Sequence, residues 1–175
     1  MTDWKKKAAA LLSFFFPSIV AIVVVFLLFR VLFGVVVVPS TSMENTISKK
    51  SISFMVRTTL LFHGVDRGDI VVFQPSPENS DVLEEDGPLL VKRIVGIAGD
   101  TVEIKEGKTY VNGQAYSEPW LAETPESLNF GPYQVWEDEI FVMGDNRIHS
   151  VDSRYWIDPY VNVNSILGKI VYVLK

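Results

Sequence analysis

A chain of 175 residues has room for one globular domain and an attachment, and not for two full domains. The formal net charge of −5 and a pI near 5.0 argue against a nucleic-acid partner, and no basic stripe with interleaved aromatics occurs after residue 50. The absence of cysteine excludes disulfides and thiolate metal sites, which fits export because a domain of this size folds without disulfides.

Residues 8–29, AAALLSFFFPSIVAIVVVFLLF, carry no charge. At 1.5 Å per helical residue they cross about 30 Å of hydrocarbon, so they read as a transmembrane anchor, with Pro17 a tolerable kink. Arginine at a bilayer centre costs about 2.5 to 3.5 kcal/mol on insertion scales, so the span is expected to end near Phe29 with Arg30 at the interface. The following GVVVVP reads as a short buried strand, because the run is apolar and the residue before a proline is pushed toward extended geometry. Lys5, Lys6 and Lys7 precede the span, and the positive-inside rule then keeps residues 1–7 in the cytoplasm and sends 30–175 across. The expected localisation is a single-pass protein of the cell membrane with its domain outside. A removable signal peptide is the competing reading. The apolar run exceeds the usual 7 to 15 residues or so of such a peptide, and no Ala-x-Ala-like cleavage site follows it.

From Ser48 onward the pattern predicts a mostly β domain of antiparallel sheet. Residues 52–57, 69–73, 89–97, 101–104, 109–113, 139–143 and 169–174 are rich in β-branched and aromatic residues and are bounded by turn formers. Glu106-Gly107 and Asn112-Gly113 read as tight hairpin turns. Residues 74–88 and 114–134 are rich in Pro, Ser, Asn and acid, which predicts surface loops. The acidic run Glu84, Glu85 and Asp86 reads as a solvated face.

The join PSTSMENT (39–46) places hydroxyls where the apolar segment ends. A serine is a poor nucleophile until a base takes its proton, so Ser42 calls for a search for that base. His63 reads as a surface or capping residue before a strand, whereas His149 has Asp145 and Asp152 nearby in sequence, as a Ser-His-Asp arrangement requires. Lys92 is the stronger candidate. Strand alternation puts it on one face with Leu90 and Ile94, and Val91, Arg93 and Val95 on the other. In water a lysine is almost never neutral near pH 7, and burial in an apolar wall lowers its pKa by up to about 3 to 5 units. A lysine that snorkels to solvent is the plain alternative. The segment MGDNRIHSVDSRYW (143–156) runs from a strand into a polar turn, suited either to an ordinary loop or to holding a buried lysine.

Together the anchor, PSTSMENT (39–46), RGDIVVF (67–73), VKRIVGIAGD (91–100) and MGDNRIHSVDSRYW (143–156) resemble, in order, the boxes of the type I signal peptidases. These are membrane-anchored serine proteases that cut signal peptides from exported preproteins. The resemblance implies a coiled, barrel-like catalytic domain of antiparallel sheets over 30–175. It makes Ser42 the nucleophile, Lys92 the general base, and Ser40 a donor to the oxyanion hole together with the Ser42 N–H. It makes Ser150 a partner of the lysine, Asp152 and Arg154 a supporting ion pair, and Gly144 a small residue that lets the lysine approach. Val38, Pro39, Met43 and Val91 would form an apolar wall accepting small side chains, hence cleavage after Ala-x-Ala. No metal or cofactor is implied. The expected partners are secretory preproteins and the lipid bilayer, with no nucleic acid, and the protein is expected to act as a monomer.

The sequence departs from the family at five positions. Thr41 stands where glycine is frequent, Asn45 where proline is common, Ile148 and His149 where the pair is usually polar, and Ile157 where glycine often follows the tryptophan. Three rival readings stand beside the Ser-Lys enzyme. One uses His149 as the base, one is a non-cutting scaffold for exported chains, and one is a self-cleaving repressor, which would need a DNA-binding head in place of the anchor.

Overall fold

The computed structural model describes residues 3–57, 64–82, 88–121 and 127–174. His63 and the acidic run at Glu84, Glu85 and Asp86 lie outside the described residues. The apolar N-terminal segment forms one helix, α1 (Asp3–Leu32), with Pro17 inside it and a twenty-residue window, Ser13–Leu32, of mean hydropathy 2.6. The helix continues beyond Phe29 and takes Arg30 into its last turn, where a cation complements the helix dipole. Its terminal Leu32 carbonyl is capped from afar, by the Arg57 N–H at 2.9 Å.

Strand β1 (Phe33–Val37) follows without a linker and pairs antiparallel with β2 (Ile52–Val56), but it is not the buried strand expected, because it is a sheet edge whose Val35 and Val37 are exposed. The chain between them, 38–51, carries the serine cluster and is closed at its base by Lys50 N–H to the Val38 carbonyl at 2.7 Å. The remaining strands of this sheet are β3 (Ile70–Phe73), β4 (Leu90–Ile97), β9 (Glu139–Met143), β10 (Val161–Asn162) and β11 (Ile166–Leu174). Seven strands lie in the order β1-β2-β11-β3-β4-β9-β10, all antiparallel. A second sheet, β7-β6-β5-β8, is built from β5 (Thr101–Lys105), β6 (Lys108–Val111), β7 (Gln114–Ala115) and β8 (Phe130–Gln134). Register shifts in β11, β4 and β5 add the local twist that coils such sheets.

Both expected hairpins form. Glu106 and Gly107, and Asn112 and Gly113, all have positive φ, which is the type I′ geometry that matches the twist of two paired strands. Segment 114–134, read as loop, holds two strands: Gln114–Ala115 is β7 and Phe130–Gln134 is β8. The sequence FGPYQ discourages a strand assignment, yet β8 is an edge of its sheet, where a residue without an N–H breaks no inner ladder.

Strand β4 is buried along nearly its whole length because core lies on both of its faces. Leu90 and Ile94 join Val71, Phe73 and Trp156 in one cluster. Val91 joins Val38, Met43 and Ile47 in another, and Val95 packs with Val102 and Phe141 in a third. At Gly96 a Cβ would lie 2.5 Å from Val102, so only glycine lets the second sheet close onto β4. The outer side of β1, β2 and β11 exposes Val35, Val37, Ile52, Val171, Tyr172 and Leu174, an apolar face adjoining the end of α1.

Candidate active site

The serine cluster is held from beneath by its own apolar neighbours. Val38, Met43 and Ile47 are essentially fully buried in one cluster with Val91, and the turn between them is fixed by Glu44 N–H to Thr41 and Ile47 N–H to Met43. This leaves the hydroxyls of Ser40 and Ser42 side by side, with their oxygens 3.0 Å apart. The Ser42 N–H donates to the Ser40 oxygen at 3.4 Å. Of the four residues expected to form a substrate wall, Val38, Met43 and Val91 pack together and back the serine turn, while Pro39 stands exposed beside it.

Lys92 has no exposed surface. Its Nζ donates to the Ser150 hydroxyl at 3.1 Å, and Ser150 donates in turn to Asp152 at 2.7 Å. Asp152 also accepts from the Gly144 N–H at 2.9 Å and from the Arg154 guanidinium, with both contacts at 2.8 Å. Burial pushes the Asp152 carboxyl up, but Arg154, with lesser help from Lys92 and the Gly144 N–H, outweighs it and holds the group below the usual carboxylate range. The Arg154 guanidinium is pushed down by its burial and carried back above its ordinary value by Asp152. The pair therefore stays ionised although both side chains are buried.

Gly144 is where the lysine turn meets the serine turn. A Cβ there would lie 2.3 Å from Ser150 Oγ and 2.5 Å from the Ser42 carbonyl oxygen. The hydroxyl can rotate away, but the backbone carbonyl cannot. Gly144→Ala is therefore expected to lower stability by about 1 to 3 kcal/mol, the usual range for overpacking, read as a drop in thermal midpoint. An unchanged midpoint would mean that the two turns are not wedged together.

The two turns are also tied by contacts that the sequence does not announce. Asn146 donates its N–H to the Ser42 carbonyl at 2.9 Å and its side-chain amide to the Thr41 carbonyl at 3.1 Å. Arg93 grips both oxygens of Asp145, at 2.8 and 2.6 Å, and Thr46 donates to the same carboxylate. Arg93 also holds the Gly68 carbonyl, and Arg67 pairs with Asp100. These bonds join all four sequence boxes into one frame. Segment 114–134, read as surface loop, contributes Glu118, which pairs with the buried Arg147, and Trp120, whose ring lies 4.1 Å from the Arg93 guanidinium.

His149 is exposed, and the acids near it in sequence are engaged elsewhere, Asp145 with Arg93 and Thr46 and Asp152 with Ser150, Gly144 and Arg154. Ile148 and Ile157 are exposed as well, at 54% and 78%. Asn45 has φ +93°, which the proline ring forbids, so this turn cannot hold the proline common at the position.

A family model described as signal peptidase, peptidase S26, matches residues 11–174. A signal peptidase I of Bacillus amyloliquefaciens is 37% identical over 137 residues, covering 73% of this chain and 69% of the relative. A probable signal peptidase I-2 of Synechocystis sp. is 35% identical over 134 residues, covering 75% of this chain. The chain spans 58% of that relative's length. A crystal structure of a signal peptidase I from Enterococcus faecalis V583 is 29% identical, with a TM-score of 0.49, and covers 63% of this chain and 99% of that one.

Proposed function

The chain belongs to the signal peptidases of the peptidase S26 family, and we propose that it cuts signal peptides from exported preproteins with Ser42 as nucleophile and Lys92 as general base. The observation that carries this reading is the wholly buried Lys92, bonded to Ser150 in the turn that Gly144 packs against Ser42. Burial favours the neutral amine. The Ser150 proton is committed to Asp152, so Ser150 accepts from Lys92 and fixes the direction of the amine. Arg154 pairs with Asp152 and takes up most of that carboxylate's charge, which weakens its pull on a charged Lys92.

In the reaction Lys92 takes the Ser42 proton as Oγ attacks the scissile carbonyl, then returns it to the leaving amine. It next takes a proton from the water that attacks the acyl-enzyme and gives it to the Ser42 oxygen as the acyl group leaves as the acid. The oxyanion is met by the Ser42 N–H and, after rotation away from Ser42, by the Ser40 hydroxyl. Small residues at the first and third positions before the cut fit beside the turn that Val38, Met43 and Val91 back from beneath, with Pro39 exposed next to it.

Helix α1 serves as a single-pass anchor with residues 1–7 in the cytoplasm, and the apolar face of β1, β2 and β11 rests on the outer bilayer surface. Ser42 follows Leu32 by ten residues, at most about 35 Å of extended chain, so the nucleophile works near the surface where a signal peptide ends its span. The protein acts as a monomer.

The test is cleavage of an Ala-x-Ala preprotein in detergent. Wild type and His149→Ala are expected to cut after the final alanine, and neither is expected to cut a preprotein with tryptophan there. If folded wild type cuts nothing across a panel of preproteins, the peptidase reading fails in favour of a scaffold. Loss of cleavage in a folded His149→Ala would hand the base role to histidine.

A further inference from the structure

A cavity of about 460 Å³ opens where α1 gives way to β1, on the opposite end of β1 from the serine turn. Phe26, Phe29, Phe33 and Phe54 line it, and Arg30 and Arg57 stand at its edge. The two arginines lie 27 residues apart in sequence and are brought together by the fold. Phe33 pairs with Val56 in the β1–β2 ladder, and the Arg57 N–H bonds the last carbonyl of the helix, Leu32, at 2.9 Å. Phe29 and Phe33 stack with ring centroids 4.6 Å apart, which makes one side of the cavity continuous with the membrane-facing surface of the helix.

Both guanidiniums belong to exposed residues, and among the described residues neither has an ion-pair partner and no acid lines the cavity. In a chain of net charge −5, two such cations over an aromatic floor make a local field of the opposite sign. They sit at the end of the apolar window, the depth at which lipid headgroups begin.

We infer that this cavity binds one anionic phospholipid of the outer leaflet, its phosphodiester between Arg30 and Arg57 and the start of its acyl chains on the four phenylalanines. Arginine forks suit phosphate oxygens, and the aromatic walls suit the glycerol and upper methylenes that accompany a lipid phosphate and not a free one. A bare apolar segment of substrate would leave both cations unpaired, which disfavours it as occupant. The inference rests on the reading of α1 as a membrane anchor. Its consequence is mechanical: a lipid held at this joint fixes the height of β1, and so of Ser42 at its other end, above the bilayer.

The experiment uses the full chain in vesicles of phosphatidylcholine mixed equally with phosphatidylglycerol, followed by native mass spectrometry of the lipids retained after release. Wild type is expected to retain phosphatidylglycerol over phosphatidylcholine by about tenfold, consistent with two cations near an anionic lipid. Arg30→Gln/Arg57→Gln is expected to retain both lipids in their bulk ratio, and Arg30→Lys/Arg57→Lys to keep part of the preference. Circular dichroism of the variants establishes that they are folded. Carbonate extraction of the same vesicles separates the failures. A chain that is extracted overturns the anchor and this site together. A chain that stays in the bilayer and shows no preference, or an equal preference in the glutamine variant, overturns the lipid site alone. Displacement of the lipid by inorganic phosphate or by a synthetic signal peptide reassigns the cavity to that occupant and also overturns it.

Discussion

Alanine at Ser42 and alanine at Lys92 are each expected to lower kcat/KM for an Ala-x-Ala preprotein by about 10⁴-fold or more, with the double variant no worse than either single one. The reason is that the two groups act in one step. Without the amine, Ser42 keeps its proton, and without the hydroxyl, the amine has nothing to activate. Groups acting separately would multiply their losses in the double variant. Lys92→Met is the control for packing, since it fills the same buried space without a base. It should fold as wild type does and be as inactive as Lys92→Ala. The pH profile carries the sign of the mechanism: wild-type kcat/KM is expected to rise toward alkaline pH, as a lysine base requires, and His149→Ala is expected to keep that rise. A Lys92→Met enzyme within tenfold of wild type would remove the lysine from the mechanism.

The legible parts of this fold were those with local causes. The hairpins at Glu106-Gly107 and Asn112-Gly113 follow from φ preferences, and most inner strands follow from runs of β-branched residues. Strand β8 was hidden because its Gly and Pro are tolerated only by its edge position, which is a tertiary fact. The burial of Lys92 was half legible. Alternation supplied its apolar neighbours Leu90 and Ile94, but the closing of both faces of β4 depends on the strand lying between three core clusters. The frame around the site was not legible at all. Arg93 meets Asp145, 52 residues away, because the β4–β9 register sets Arg93 against Met143. Nearness in sequence misled in the other direction at His149, whose neighbouring acids turn toward arginines. The resemblance makes Gly144 small for the sake of the lysine, and the atoms that a Cβ there would meet first are those of Ser150 and the Ser42 carbonyl.

Asp152→Ala is expected to destabilise the domain by about 3 to 5 kcal/mol at neutral pH, because it strands the Arg154 cation, 5% exposed, without its carboxylate. At the usual sensitivity of a domain of this size, the thermal midpoint falls by roughly 10 °C. Removing both charges, as Asp152→Ala/Arg154→Met, recovers much of that loss, since no buried ion is then left uncompensated. The pH dependence has a definite sign. The native Asp152 carboxyl is held below its ordinary range, so its stabilisation is complete above the unfolded carboxyl's pKa of about 4 and is lost as pH falls through the lower native value. Wild type and Asp152→Asn should therefore differ in midpoint from pH 5 to 8 and converge in strong acid. Activity separates the structural part from the rest. In Asp152→Asn the Ser150 hydroxyl still has an oxygen to donate to, so a folded enzyme should keep measurable cleavage while Lys92→Met keeps none. A gap between wild type and Asp152→Asn that stays constant from pH 8 into strong acid would show that the carboxylate contributes shape alone, and that Arg154 is not held by its charge.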